Sequence, residues 1–172
     1  MIAAQGNDIN GEARLIDAMV ERNSRILDAG CGTGRLGGYL VERGHEVVGT
    51  DIDPILIEHA RTDFAGLTSY VGDLGSDPIP EGDFDLAVSA GNVMGFIAES
   101  DRGFALRNIY DAMVSGGRFV VGFGAGRGWR FDDFIDSATT TTGFVLENRF
   151  SSWDLKPYSE DATYLVAVLR KP

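Results

Sequence analysis

The chain has 172 residues, 44% hydrophobic, 10% aromatic and 24% charged, with only 5 prolines. That excludes a disordered or fibrous chain and fits one domain, residues 1–172, long enough to bury a sizeable core. Fifteen Lys and Arg against 26 Asp and Glu leave a formal charge of −11, so a polyphosphate backbone, and with it a nucleic-acid partner, is not expected.

Helical spacing of Ala13, Leu15, Ile16, Met19 and Val20 predicts a first helix over 10–21. A short apolar strand, Arg-Ile-Leu-Asp-Ala, follows at 25–29, then a glycine-rich stretch and a helix over about 35–43. Residues 46–50 read as a second strand. Asp53 and Pro54 supply an N-cap and a first-turn proline, opening a helix to about residue 64. Residues 67–71 make a third strand and 84–90 a fourth, almost wholly apolar after Asp85, as a strand buried on both faces should be. A helix is expected over 101–114, with Phe104, Ile109, Ala112 and Met113 inward, then a Ser-Gly-Gly turn into a strand at 118–123. The last helix spans 129–138. Long strands at 144–153 and 163–170 then form an antiparallel pair. Repeated βα units closing on two antiparallel strands describe an α/β, doubly wound sheet with a mixed edge.

A single cysteine, Cys31, excludes an internal disulfide framework and a Cys-rich zinc site, and no metal is expected. The stretch 86–98 carries no charge but, at 13 residues, is too short to span a bilayer. The first residues show neither a basic segment nor an apolar one of the secretory kind. The expected location is cytoplasmic, with no membrane partner.

The 23 glycines cluster at 30–38, 91–95 and 116–128. The first cluster, in Asp28-Ala-Gly30-Cys-Gly32-Thr-Gly34-Arg-Leu-Gly37, can be read in two registers. Gly32, Gly34 and Gly37 match the G-x-G-x-x-G of dinucleotide binding, a weak signal that here starts two residues late, inside the loop. Gly30, Gly32 and Gly34 behind Asp28 give a different pattern, D-x-G-x-G-x-G. A carboxylate at the strand end is the wrong sign for a pyrophosphate and the right sign for an ammonium or a sulfonium. The second register is preferred on those grounds. A nicotinamide oxidoreductase would also need a Tyr-Lys or His-acid pair, and the chain has just two lysines.

Leu27-Asp-Ala-Gly-Cys-Gly-Thr-Gly34 resembles motif I of the class I S-adenosylmethionine-dependent methyltransferases, here of the small-molecule type. Further landmarks follow in order: Val47-Val-Gly-Thr-Asp51, Gly72-Asp73-Leu74, Phe84-Asp-Leu-Ala-Val-Ser-Ala90 and Val114-Ser-Gly-Gly-Arg118. The resemblance implies a Rossmann-like seven-stranded mixed sheet, ordered 3-2-1-4-5-7-6, with helices on both faces. It implies S-adenosylmethionine as cofactor, bound by Asp28, Gly30, Cys31, Gly32, Gly34, Asp51, Ile52, Asp73, Leu74 and Ala90. Asp51 would accept from the two ribose hydroxyls, Ile52 would face the adenine, and Asp73 with the Leu74 N–H would meet its edge. Plainer roles compete: a loop acid for Asp51, an Asx turn before Gly75 for Asp73, and packing for Cys31.

The acceptor is less legible. The segment Ser89-Ala-Gly-Asn-Val-Met-Gly-Phe96 lacks the Asn/Asp-Pro-Pro-aromatic pattern of amino-group methyltransferases acting on DNA, RNA bases or protein glutamine. With the charge, that favours a small-molecule acceptor. Asn92 sits where donor and acceptor would meet, in a positioning role. Arg127, Trp129 and Arg130, together with Trp153 and Tyr158, are the candidate acceptor contacts, with loop charge and core anchoring as alternatives. Small-molecule members usually carry more chain before the first strand than this sequence does. Either the pocket is open, or a lid has been lost, or a partner subunit, as in a homodimer, supplies it. A module that holds S-adenosylmethionine or its demethylated product without transferring methyl groups is the competing reading. His45 and His59 are expected to have packing or surface roles.

Overall fold

A computed structural model describes residues 10–172. The helices are α1 (Gly11–Met19), α2 (Arg35–Glu42), α3 (Pro54–Asp63), α4 (Arg102–Asp111) and α5 (Phe131–Asp136). The strands are β1 (Arg25–Ala29), β2 (Glu46–Asp51), β3 (Thr68–Val71), β4 (Phe84–Ser89), β5 (Met113–Gly124), β6 (Val145–Phe150) and β7 (Tyr164–Arg170). They form one seven-stranded sheet in the order β3-β2-β1-β4-β5-β7-β6. The first five strands run parallel, and β7 inserts antiparallel between β5 and β6. This is the doubly wound mixed sheet expected from the alternating pattern, in the order the resemblance implies.

Alternation along the buried strands divides the core into two layers. Leu27, Ala87, Phe119, Val121 and Phe123 face α4 and α5, which add Leu106, Ile109 and Phe134. Ile26, Leu86, Val88, Val120 and Val166 face α1 to α3, which add Ile16, Leu36, Leu40 and Ala60. The Asp53 side chain caps α3 by accepting from the Ile55 N–H, with Pro54 in the first turn as expected. His45 is buried rather than at the surface. Its Nδ1 accepts from the Ser24 N–H at 3.1 Å, so Nε2 carries the proton it shares with Asp17, 2.7 Å away. Arg22 and Arg43 also reach Asp17. This cluster fixes the C-terminal half of α1 against the sheet.

Boundaries differ from expectation where long-range contacts intervene. The helix expected over 101–114 stops at Asp111, because β5 already begins at Met113. Pairing with β4 jumps from Phe84–Met113 to Leu86–Arg118, and the Ser-Gly-Gly segment bulges between them. The bulge is tied to the chain's end: the Gly116 N–H donates to the Lys171 carbonyl and the Lys171 N–H to that of Gly117. The helix expected from 129 starts at Phe131 and continues as a wider π-type turn, Ser137–Thr142, ending at Gly143 with φ +109°.

Candidate functional site

The C-terminal ends of the parallel strands carry the glycine loop, the position at which open α/β sheets bind ligands. The N–H groups of Gly30 and Cys31 both donate to the Thr50 carbonyl at 2.8 Å, folding the loop over the end of β2. Gly30 holds φ +85°, and a Cβ there would lie 2.5 Å from Cγ2 of Val93, so conformation and space both require glycine. The loop in turn sets Asp51: its Oδ2 accepts from the Gly32 N–H at 2.9 Å and its Oδ1 from the Asp53 N–H at 3.0 Å.

Two cavities of about 360 and 350 Å³ meet here and share Gly30, Asp51 and Val93. The first is lined by Ile52, Asp73, Leu74 and Phe96, among others, and is the more apolar of the two. Ile52 and Phe96 are 65% and 68% exposed, large apolar side chains left open on the rim of a concave site. The second is lined by Glu12, Asp28, Cys31, Gly32, Arg35 and Ala90 and is strongly charged.

Asp28 dominates the charged cavity. It is 2% exposed, and its Oδ2 is buried without a hydrogen-bond partner. Burial, reinforced by the Asp51 carboxylate, pushes its pKa up to about 7; Arg35 opposes the rise and Glu12 adds to it. Burial, then Asp28 and Asp51, push the Cys31 thiol up to about 12, which keeps it protonated and removes it as a nucleophile. Among the described residues, no group of three or more His, Cys, Asp or Glu side chains is placed to hold a metal ion.

Most residues singled out in the sequence lie together on these two cavities: Asp28, Gly30, Cys31, Gly32, Asp51, Ile52, Asp73, Leu74 and Ala90. Gly34 does not. A Cβ on it would meet Leu67, Ala60 and Phe64, so this glycine packs the loop against α3 instead of facing a ligand. Asp73 closes the Asx turn, with Oδ1 accepting from the Gly75 N–H at 2.9 Å, while standing on the cavity wall. The Asn92 amide oxygen accepts from the Gly124 N–H at 2.7 Å, joining the loop after β4 to the end of β5.

The five acceptor candidates separate. Trp129, Arg130 and Tyr158 line a third cavity of about 480 Å³ beyond β5. Trp129 is itself 2% exposed, packed edge-on against Phe134 under the Arg102 guanidinium, so it is chiefly a core anchor. Arg127 lies over the Phe96 ring at 5.7 Å, beside the apolar cavity. Trp153 packs on the opposite face of β5, where its Nε1 donates to the Tyr164 hydroxyl. Glu12, Arg35, Val93 and Phe96 were not foreseen as site residues. Arg35 and Phe96 directly border glycine-rich loops, a usable signal. Glu12 has none, because only the packing of α1 on α2 brings it to Asp28.

Residues 26–117 match the methyltransferase domain family, more than half of the chain. A TehB-like SAM-dependent methyltransferase from Corynebacterium glutamicum is 60% identical, superposes with a TM-score of 0.95, and matches over 99% of this chain and 92% of that one. The chain belongs to the S-adenosylmethionine-dependent methyltransferases. The 18S rRNA (guanine-N(7))-methyltransferase of Bos taurus is 28% identical over 132 residues, 63% of this chain and 47% of its own length. The malonyl-[acyl-carrier protein] O-methyltransferase of Serratia marcescens is 33% identical over 88 residues, 51% of this chain and 34% of its own length. The chain therefore spans about half or less of these two curated relatives. The cofactor of the family is S-adenosylmethionine, and no helix among the described residues of this methyltransferase is long and apolar enough to cross a membrane.

Proposed function

We propose that this chain is one domain that transfers a methyl group from S-adenosylmethionine to a small-molecule acceptor in the cytoplasm. The observation that carries the reading is the unpartnered, buried Oδ2 of Asp28 at the end of β1. A carboxylate left without a partner in a dry cavity has a strong demand for a cation, and the ammonium and sulfonium of the cofactor supply one. Asp51, held by two backbone N–H groups, keeps lone pairs for the ribose diol. Ile52 and Phe96 offer apolar surface to adenine, and Asp73 and Leu74 its polar edge contacts. Glycines 30 and 32 let backbone approach without a Cβ. Gly34 has a packing role in this proposal.

The cofactor supplies a methyl group already activated by its sulfonium leaving group, so the protein mainly aligns the acceptor and excludes water. Alignment of this kind is worth roughly 7–11 kcal/mol, and no dedicated base is needed for it. A small acceptor is favoured over RNA by the net charge of −11, although curated relatives include rRNA methyltransferases. Glu12 of α1 also lines the charged cavity, beside Asp28 and Arg35.

A second reading, a module that binds the cofactor without transferring methyl, draws on one observation: the Asn92 amide oxygen is engaged by Gly124. Parallel calorimetric titrations with S-adenosylmethionine, S-adenosylhomocysteine and NAD test the cofactor assignment. Micromolar binding of the first two alone is expected, and binding of NAD alone would overturn it. Formation of S-adenosylhomocysteine with pooled small molecules, and none with RNA, then separates transfer from mere binding and settles the class of acceptor.

A further inference from the structure

On the face of the sheet that packs against α1 to α3, β5 carries Gly122 and Gly124 at its C-terminal end. A Cβ on Gly122 would lie 2.5 Å from Cζ2 of Trp153 and 2.8 Å from the Tyr164 hydroxyl. One on Gly124 would lie 3.3 Å from Oδ1 of Asn92 and 3.8 Å from Cδ2 of Tyr164. The two glycines thus clear a floor onto which Trp153, Tyr164 and Asn92 converge. Gly91 and Val93, either side of Asn92, line the charged cavity, and so does Glu12, whose charge acts on Tyr164.

The hydrogen bonding here is directional. An indole N–H only donates, so in the 3.1 Å contact from Trp153 Nε1 the Tyr164 oxygen accepts. The tyrosine proton must point elsewhere, and among the described residues no acceptor takes it. Burial raises the phenol's pKa against the Trp153 N–H that lowers it, with Glu12 adding to the rise, so the group stays a neutral donor.

Resting on the methyl-transfer reading above, we propose that Tyr164 binds the acceptor, its O–H donating to a neutral hydrogen-bond acceptor such as a carbonyl or hydroxyl oxygen. An anion is disfavoured because the Glu12 carboxylate acts on Tyr164 and, with Asp28 and Asp51, lines the neighbouring charged cavity. An ammonium cannot accept the proton at all.

The two tryptophans allow a direct test, since Trp129 lies on the other face and serves as an internal control. Protein saturated with S-adenosylhomocysteine is titrated with benzamide, benzoate and benzylamine while the two indole N–H signals are followed by NMR, assigned with Trp153→Phe. Benzamide is expected to move the Trp153 signal and to bind about tenfold tighter than either charged probe. Tyr164→Phe is expected to weaken benzamide about fivefold while leaving S-adenosylhomocysteine affinity unchanged. Equal benzamide binding by Tyr164→Phe, or no probe moving the Trp153 signal while S-adenosylhomocysteine binds, overturns the inference and leaves the cofactor reading intact. Failure of S-adenosylhomocysteine to bind overturns both.

Discussion

The two halves of the sheet's C-terminal edge are built by different means. Over β1 to β3 the functional groups are set by nearby backbone: Asp51 by the Gly32 and Asp53 N–H groups, Asp73 by its own Asx turn. Over β5 to β7 they are set by side chains from distant segments, such as Trp153 on Tyr164, Asn92 on Gly124 and Arg102 over Trp129. The first arrangement suits one constant ligand. The second can change its contents one side chain at a time, which suits a fold whose cofactor is fixed and whose acceptors vary.

The largest expected effect separates the halves through charge. In the folded chain Asp28 keeps its proton to about 7, against an ordinary 3.8. The folded state therefore binds an extra proton at Asp28 between those values, and the contribution of Asp28 to stability falls as pH rises from about 4 to about 7. Above that range the penalty levels off at roughly 4 kcal/mol. Asp28→Asn removes it, so chemical denaturation should show the variant matching the parent near pH 4 and more stable above pH 7. The same variant should lose S-adenosylmethionine affinity. If its stability curve keeps the parent's slope, Asp28 is not the buried charge described here.

Asp51→Ala comes next. It removes the acceptor for a diol and frees the Gly32 and Asp53 N–H groups, and about 1–3 kcal/mol of cofactor affinity should go with it. An unchanged dissociation constant by calorimetry would remove Asp51 from the cofactor site. Gly122→Ala probes the other half. Its methyl would sit 2.5 Å from the Trp153 ring, and overpacking of this kind costs about 2 kcal/mol of stability. Cofactor affinity should stay level, because neither Gly122 nor Trp153 lines the two cavities proposed for the cofactor. Parallel losses in both would mean that the halves are one mechanical unit.

The same division explains what could be read from the sequence. Asp28, the loop glycines, Asp51 and Asp73 lie at or just beyond the C-terminal ends of β1, β2 and β3, so the βα repeat along the chain carries them to one edge of the sheet. The strand order is implied by the resemblance that these same motifs carry, and the sheet has it. The pattern counts glycines without distinguishing one that lines a cavity from one, such as Gly34, whose Cα packs on Leu67 and Phe64. Glu12 and Tyr164 left no trace because their places depend on contacts between segments far apart in sequence. Trp129 and Trp153 look alike as loop aromatics, yet they lie on opposite faces of β5, a distinction that strand register makes and composition does not.

The smallest effect tests the cofactor half where it costs the free protein nothing. Ile52 is 65% exposed, so truncating it buries no cavity and leaves no polar group stranded. Ile52→Ala should therefore melt with the parent in the absence of ligand. In the complex, adenine would cover this side chain, and at about 25 cal/mol per Å² of apolar surface the lost contact is worth roughly 1 kcal/mol. Calorimetry should show about a fivefold weaker S-adenosylmethionine complex, and equal weakening for S-adenosylhomocysteine, because the two share the adenosine. Asp28→Asn should instead weaken S-adenosylmethionine more than its product, since only the former carries the sulfonium charge. A ratio between the two ligands that moves in Ile52→Ala and stays fixed in Asp28→Asn would exchange the roles assigned to the apolar and charged cavities.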